Sequence, residues 1–151
     1  MHSAVKTAAD VLAAASALVA AYGTFRWYRG EPSRLFWQAL RTVQALCVLF
    51  AAYVGVLAAS GRHPTDNLFY LYALLPLAVS FVAEQLRIAS AQAELDRRGL
   101  ADAQAVGRLP PPEQRAIVRA ILRRELGVMT LACWVIVFLA LRAAGTSGGF
   151  A

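Results

Sequence analysis

Charge is what this sequence has least of. Only 16% of its 151 residues are Asp, Glu, Lys or Arg, where a soluble domain carries about a quarter. Lysine is all but missing: Lys6 stands alone among 15 basic residues. Histidine occurs twice, as His2 and His63, and cysteine twice, as Cys47 and Cys133. Without a CxxC, neither a thioredoxin-like pair nor a zinc site is signalled. Each cysteine lies alone inside an apolar run and reads as a small buried hydrophobe. The histidines fall on one side of the topology derived below, which leaves no intramembrane pair for a haem. His63 with Asp66 or His2 makes too thin a ligand set to assign a metal. No G-x-S-x-G, P-loop, H-E-x-x-H or weighty GxGxxG occurs. Serine, histidine and acid do not converge at one depth, so no catalytic residue and no cofactor is assigned.

What the chain has instead is apolar residues, 59% of the total, with a mean hydropathy of +0.52. They arrive in blocks too long for a small soluble core. A hydrocarbon layer about 30 Å thick needs roughly 20 such residues in a helix, and four segments qualify: about 7–22, 37–60, 68–89 and 126–143. The expected fold is therefore all-α, an integral four-helix bundle in a single domain, with a cytoplasmic arm over about 90–125. The first segment does not read as a cleavable leader, because Arg26 and Arg29 follow its apolar run instead of preceding it, and it is expected to be a membrane helix. Much Ala and Arg with almost no Lys suggests a GC-rich bacterial source.

The net charge of +6 lies beside the apolar blocks, a placement that suits anionic headgroups and not nucleic acid. Arg26, Arg29 and Arg34 crowd the first connection. Arg87, Arg97, Arg98, Arg108, Arg115, Arg119, Arg123 and Arg124 follow the third span. The loop SGRHPTDN has only Arg62, and nothing after Arg142 is charged. Basic short loops stay in the cytoplasm, so both termini are expected on the extracytoplasmic side of the cell membrane. Small residues every fourth position, Ala9, Ala13, Ala17 and Ala21, and again Ala51, Gly55 and Ala59, are expected to let helix backbones approach closely. Pro76 is expected to kink the third span and free a carbonyl near Tyr72.

The stretch LLPLAVSFVAEQLRIAS, residues 74–90, interrupts the pattern. Its apolar run meets Glu84, Gln85 and Arg87 before it has ended. The second span runs the other way, so Gln38, Arg41 and Gln44 share that depth, and Glu125 opens the fourth span at the same level. A charge at a helix centre costs roughly 2.5–3.5 kcal/mol, and less near the border. Glu84 and Arg87 can pair at a spacing of three, and Arg41 needs a carboxylate from another helix. Two readings stay open for this layer. It is an interhelical clamp, or it is a polar pocket for an ion, a proton or a small anionic group.

Beyond the third span, AQAELDRRG continues its helix to a stop at Gly99, and LADAQAVGRL reads as a short polar helix or turn. A new helix starts at the proline run and merges into the fourth span. On it Arg115, Arg119 and Arg123 recur every four residues, with Arg124 beside them, and are expected to meet lipid headgroups. A docking face for an acidic partner is the alternative. The function expected is a non-catalytic subunit or scaffold of a membrane assembly, homo-oligomeric or part of a larger complex. A small homo-oligomeric channel or transporter using the polar layer, or a membrane enzyme acting on a lipid or quinone, are the alternatives.

Overall fold

The structure, a computed structural model, describes residues 2–148, with side chains from Ala4 onward. The side chain of His2, expected near His63, lies outside the described residues. Four long helices and one short one follow in order: α1 (His2–Arg29), α2 (Arg34–Ala59), α3 (Leu68–Arg97), α4 (Ala103–Gly107) and α5 (Pro111–Thr146). The long ones are all long and apolar enough to cross a membrane. The chain is an all-α four-helix bundle. Helix α5 packs closely on α1 and α3, and α2 touches those two more lightly, closing the ring.

The helices overrun the apolar segments at several ends, because an α-helix stops where its backbone is stopped and not where hydrophobicity falls. Gly30, at φ +67°, follows α1, and Gly99, at φ +69°, follows α3. Glycine takes this left-handed conformation without the Cβ clash that other residues meet. The short polar segment is the single turn α4, begun by the Asp102 carboxylate accepting from the Ala105 N–H at 2.8 Å. Prolines at the start of α5 cost nothing, since first-turn N–H groups have no partner within the helix. The arm and the fourth span are then one 36-residue rod, about 54 Å long at 1.5 Å per residue.

The core is a set of seams with alternating spacings of four and three. In α1 the buried line is Val5, Ala9, Leu12, Ser16, Val19 and Gly23; in α2 it is Phe36, Leu40, Val43, Cys47, Phe50, Val54 and Leu57. Helix α3 contributes Phe69, Ala73, Pro76, Ser80 and Ala83, and α5 contributes Leu126, Met129, Cys133, Ile136, Ala140 and Ala143. A period of 3.5 keeps one stripe facing the neighbours along bundled helices. Both cysteines lie on this seam, as do the buried hydroxyls of Ser16, Ser80 and Thr130.

That period decides which of the small residues pack within the chain. Steps of four advance the stripe by about 40° each around a helix of 3.6 residues per turn. Ala9 and Ala13 are buried, Ala17 is half-buried and Ala21 is exposed. Gly55 faces outward, and a Cβ added there would meet nothing within 4 Å; α2 meets its neighbours through Val54 and Leu57 instead. The close approach occurs at Gly23, where an added Cβ would collide with Thr130 Oγ1 and lie 2.6 Å from Phe36 Cε2. Pro76 is buried on the seam, inside a helix that continues past it to Arg97.

Antiparallel neighbours sort the connections to two ends. At one, the Thr65 N–H donates to Gly148 O at 3.0 Å, joining the α2–α3 loop to the end of α5. At the other, the Trp27 indole lies over Gly127, 3.1 Å from where its Cβ would be, and Tyr22 Oη is 2.9 Å from Ser33 Oγ. The α1–α2 turn and the α3–α5 connection share this second, basic end.

Candidate functional site

The polar layer is assembled from three helices. Glu84, on α3, is its hub: Oε1 accepts from Gln44 Nε2 at 2.8 Å and from Arg41 Nη1 at 3.0 Å, both on α2. Arg41 Nη1 also donates to Gln44 Oε1 at 2.8 Å, closing a triangle. The other carboxylate oxygen, Oε2, lies 3.0 Å from Arg87 Nε one turn along α3. That N–H is not aimed at the oxygen, so the pair is a charge contact and Arg87 Nε makes no hydrogen bond. Arg87 Nη1 reaches Glu125 Oε2 of α5 at 3.9 Å, and its guanidinium lies over the Trp37 ring, 5.4 Å from the centroid.

Two cations and two anions therefore meet at one height of the bundle and cancel. Each long side chain spans one interface: Arg41 joins α2 to α3, and Arg87 joins α3 to α5. Gln38 and Gln85 stand outside this network. Both are exposed, and among the described residues neither side chain is bonded into it. Trp37 is the member the sequence reading missed; an aromatic at a span border looks like an interface anchor, and only the packed geometry puts its face under a guanidinium.

A second cluster was also missed. Glu94, two turns beyond Arg87 on α3, is 2% exposed. It accepts from Arg97 Nη2 at 2.6 Å, from Arg98 Nε at 3.0 Å and from Arg124 Nη1 of α5 at 3.5 Å. In the sequence Glu94 is one acid in a polar stretch, and nothing local separates it from exposed neighbours such as Asp96. Its signal was the arginines three and four residues on, together with Arg124 from the facing helix. Arg124 is thus tied to Glu94, and both line, with Arg123, Trp27 and Arg97, a cleft of about 590 Å³. Arg115 and Arg119 line a different cleft, with Arg29.

Elsewhere Trp134 Nε1 donates to Thr24 Oγ1 at 3.1 Å, tying α5 to α1. At the opposite end the Arg142 guanidinium lies 5.5 Å from the Tyr72 ring centroid, and His63 Nδ1 is 2.9 Å from Tyr70 Oη. Among the described residues no three His, Cys, Asp or Glu side chains gather where one ion could bind them all.

Opposite charges on three helices thus lie within contact distance of one another at the border of the apolar spans. No protein-family model, curated protein or solved structure matches this chain. Four of its helices are long and apolar enough to cross a membrane, the mark of a membrane protein.

Proposed function

We propose that this chain is a non-catalytic subunit or scaffold of a membrane assembly, with its basic end in the cytoplasm and both termini on the outer side. One observation carries the reading. The charges of the layer balance, two against two, so it has no net charge to offer an ion. The clefts beside it are lined by other residues: the apolar one between α3 and α5, about 480 Å³, runs past Leu75, Val82, Leu86 and Leu131. A balanced clamp is the chemistry of a rigid part. The outward face of α2, open at Gly55, is a surface on which a partner helix could lie close.

The intact mass of the native complex in mild detergent tests this. A scaffold is expected in a stoichiometric complex with other subunits; a lone monomer overturns the proposal. The Arg41→Ala variant separates clamp from pocket. A clamp loses folded yield, whereas a pocket leaves a stable protein that has lost its ligand.

A second reading, a homo-oligomeric channel or transporter, is favoured by one feature. The Arg41 side chain is 61% exposed, so its guanidinium stands at the outer surface of α2 where a second copy would meet it. Ion flux in liposomes, abolished by Arg41→Ala without loss of fold, would move the assignment to this reading.

A further inference from the structure

Three arginines that answer to no free carboxylate line a single cleft. Arg29 ends α1, and Arg115 and Arg119 stand four residues apart on the arm of α5. With the α1–α2 turn they enclose about 750 Å³, walled also by Pro32, Val118 and Leu122. The one acid in the wall, Glu31, is already engaged. Its Oε2 lies 3.4 Å from Arg26 Nη1, and its main-chain oxygen accepts from Arg26 Nε at 2.9 Å. Arg29 stacks over Phe25, 5.2 Å from the ring centroid. Among the described residues Arg115 and Arg119 have no ion pair.

The contrast with the five arginines gathered around Glu84 and Glu94 is what sets this cleft apart. Arg41 and Arg87 serve Glu84, and Arg97, Arg98 and Arg124 serve Glu94. Here positive charge accumulates uncompensated, on groups whose planar forks match the oxygens of a phosphate. The spacing of four sets Arg115 and Arg119 on one side of α5, and Val118, an exposed apolar residue, stands between them with Leu122 a turn further toward the apolar span. A ligand that satisfies this wall carries an anionic phosphate and an apolar portion side by side, at the level where the bundle leaves its apolar section.

We infer that Arg29, Arg115 and Arg119 hold the phosphate of an anionic phospholipid, with Val118 and Leu122 against its glycerol and acyl portion. The site narrows the basic surface of the arm to one place, and it holds whether the clamp belongs to a scaffold or to a channel.

Native mass spectrometry of the full chain in mild detergent tests it, with short-chain phosphatidylglycerol, phosphatidylcholine and inorganic phosphate as probes. Phosphatidylglycerol should be retained in preference to phosphatidylcholine. The double variant Arg115→Gln/Arg119→Gln should lower that retention about tenfold or more, since each basic residue near a lipid surface contributes several-fold. Arg123→Gln, which alters the neighbouring cleft, should change it little. Millimolar inorganic phosphate should not displace the lipid. Equal loss with Arg123→Gln would reduce the effect to diffuse surface charge and overturn the site. Equal retention of phosphatidylcholine, or displacement by inorganic phosphate, would overturn the lipid assignment, the latter in favour of a soluble phosphate-bearing ligand. If the double Gln variant does not fold, Arg115→Lys/Arg119→Lys keeps the charge and removes the forks, and unchanged retention in that variant would overturn bidentate recognition.

Discussion

Gln44 Nε2 donates to Glu84 Oε1 at 2.8 Å across the α2–α3 interface, and it fixes the carboxylate that two arginines share. The amide does what a third charge could not: it satisfies a lone pair without upsetting the balance of the layer. Orphaned ions are costly in such a place. Glu84→Leu leaves Arg41 without its acid and Arg87 with only the longer contact to Glu125, and should destabilise the protein by about 2 kcal/mol. That is less than the roughly 3–5 kcal/mol for breaking a fully buried pair, because both side chains keep some exposure. Reversible unfolding in micelles measures it. Arg87→Leu in the Glu84→Leu background should recover part of the loss, with a coupling of about 1 kcal/mol. Strictly additive effects would mean that the two groups do not work together.

Two glycines make opposite predictions. Gly23→Ala drives a methyl against Thr130 and Phe36, at a point where α1, α2 and α5 converge. Overpacking of this kind costs about 1–3 kcal/mol, so a lower unfolding midpoint is expected. Gly55→Ala meets open space and should leave the isolated chain within about 0.5 kcal/mol of wild type. In a native complex the same change on the outward face of α2 should weaken assembly, seen as free chain on size exclusion. No difference in either preparation would remove α2 as the docking face.

The four helices were legible because length and apolarity alone decide that a segment can span. So was the partnership of Arg41 with Glu84, since opposite directions of travel put Gln44 and Glu84 at one depth. Which face of each helix turns inward was not legible. In a soluble bundle polarity marks the outside, but here Leu18, Leu49, Phe81 and Phe138 are exposed while Ser16, Ser80 and Thr130 are buried. Hydrophobicity therefore points nowhere, and the seam shows only as a 3.5-residue rhythm of residues of every size, from Ala9 to Phe36. The Ala9-to-Ala21 stripe follows the seam only through Ala13 and then turns outward, being regular at a period the bundle does not use. Glu94 was hidden by distance, as its burial depends on Arg124, 30 residues on.

Glu94 also makes a local prediction. It is the buried acid that fastens the end of α3 to α5 through Arg124, so Glu94→Ala releases three guanidinium groups at once. The spans keep their seams, and only the connection through α4 is freed. Hydrogen exchange should rise about tenfold or more around residues 95–109, since an interaction of this kind contributes about 1.5–3 kcal/mol, while 69–83 stay protected. Uniform loss of protection would make Glu94 a global element of the fold.

The direction of insertion can be read with a membrane-impermeant thiol reagent, because the native thiols do not compete. Cys47 and Cys133 are both buried, so a new exposed cysteine reports alone. Gln104, on α4, and Thr65, in the α2–α3 loop, are both exposed and stand at opposite ends of the bundle. The arginines crowd the end that carries Gln104, and short basic connections stay in the cytoplasm. In intact cells Thr65→Cys should label and Gln104→Cys should not; in inverted vesicles the order should reverse. Labelling of Gln104→Cys from outside would turn the protein over, and would place the cleft of Arg29, Arg115 and Arg119 at the outer leaflet.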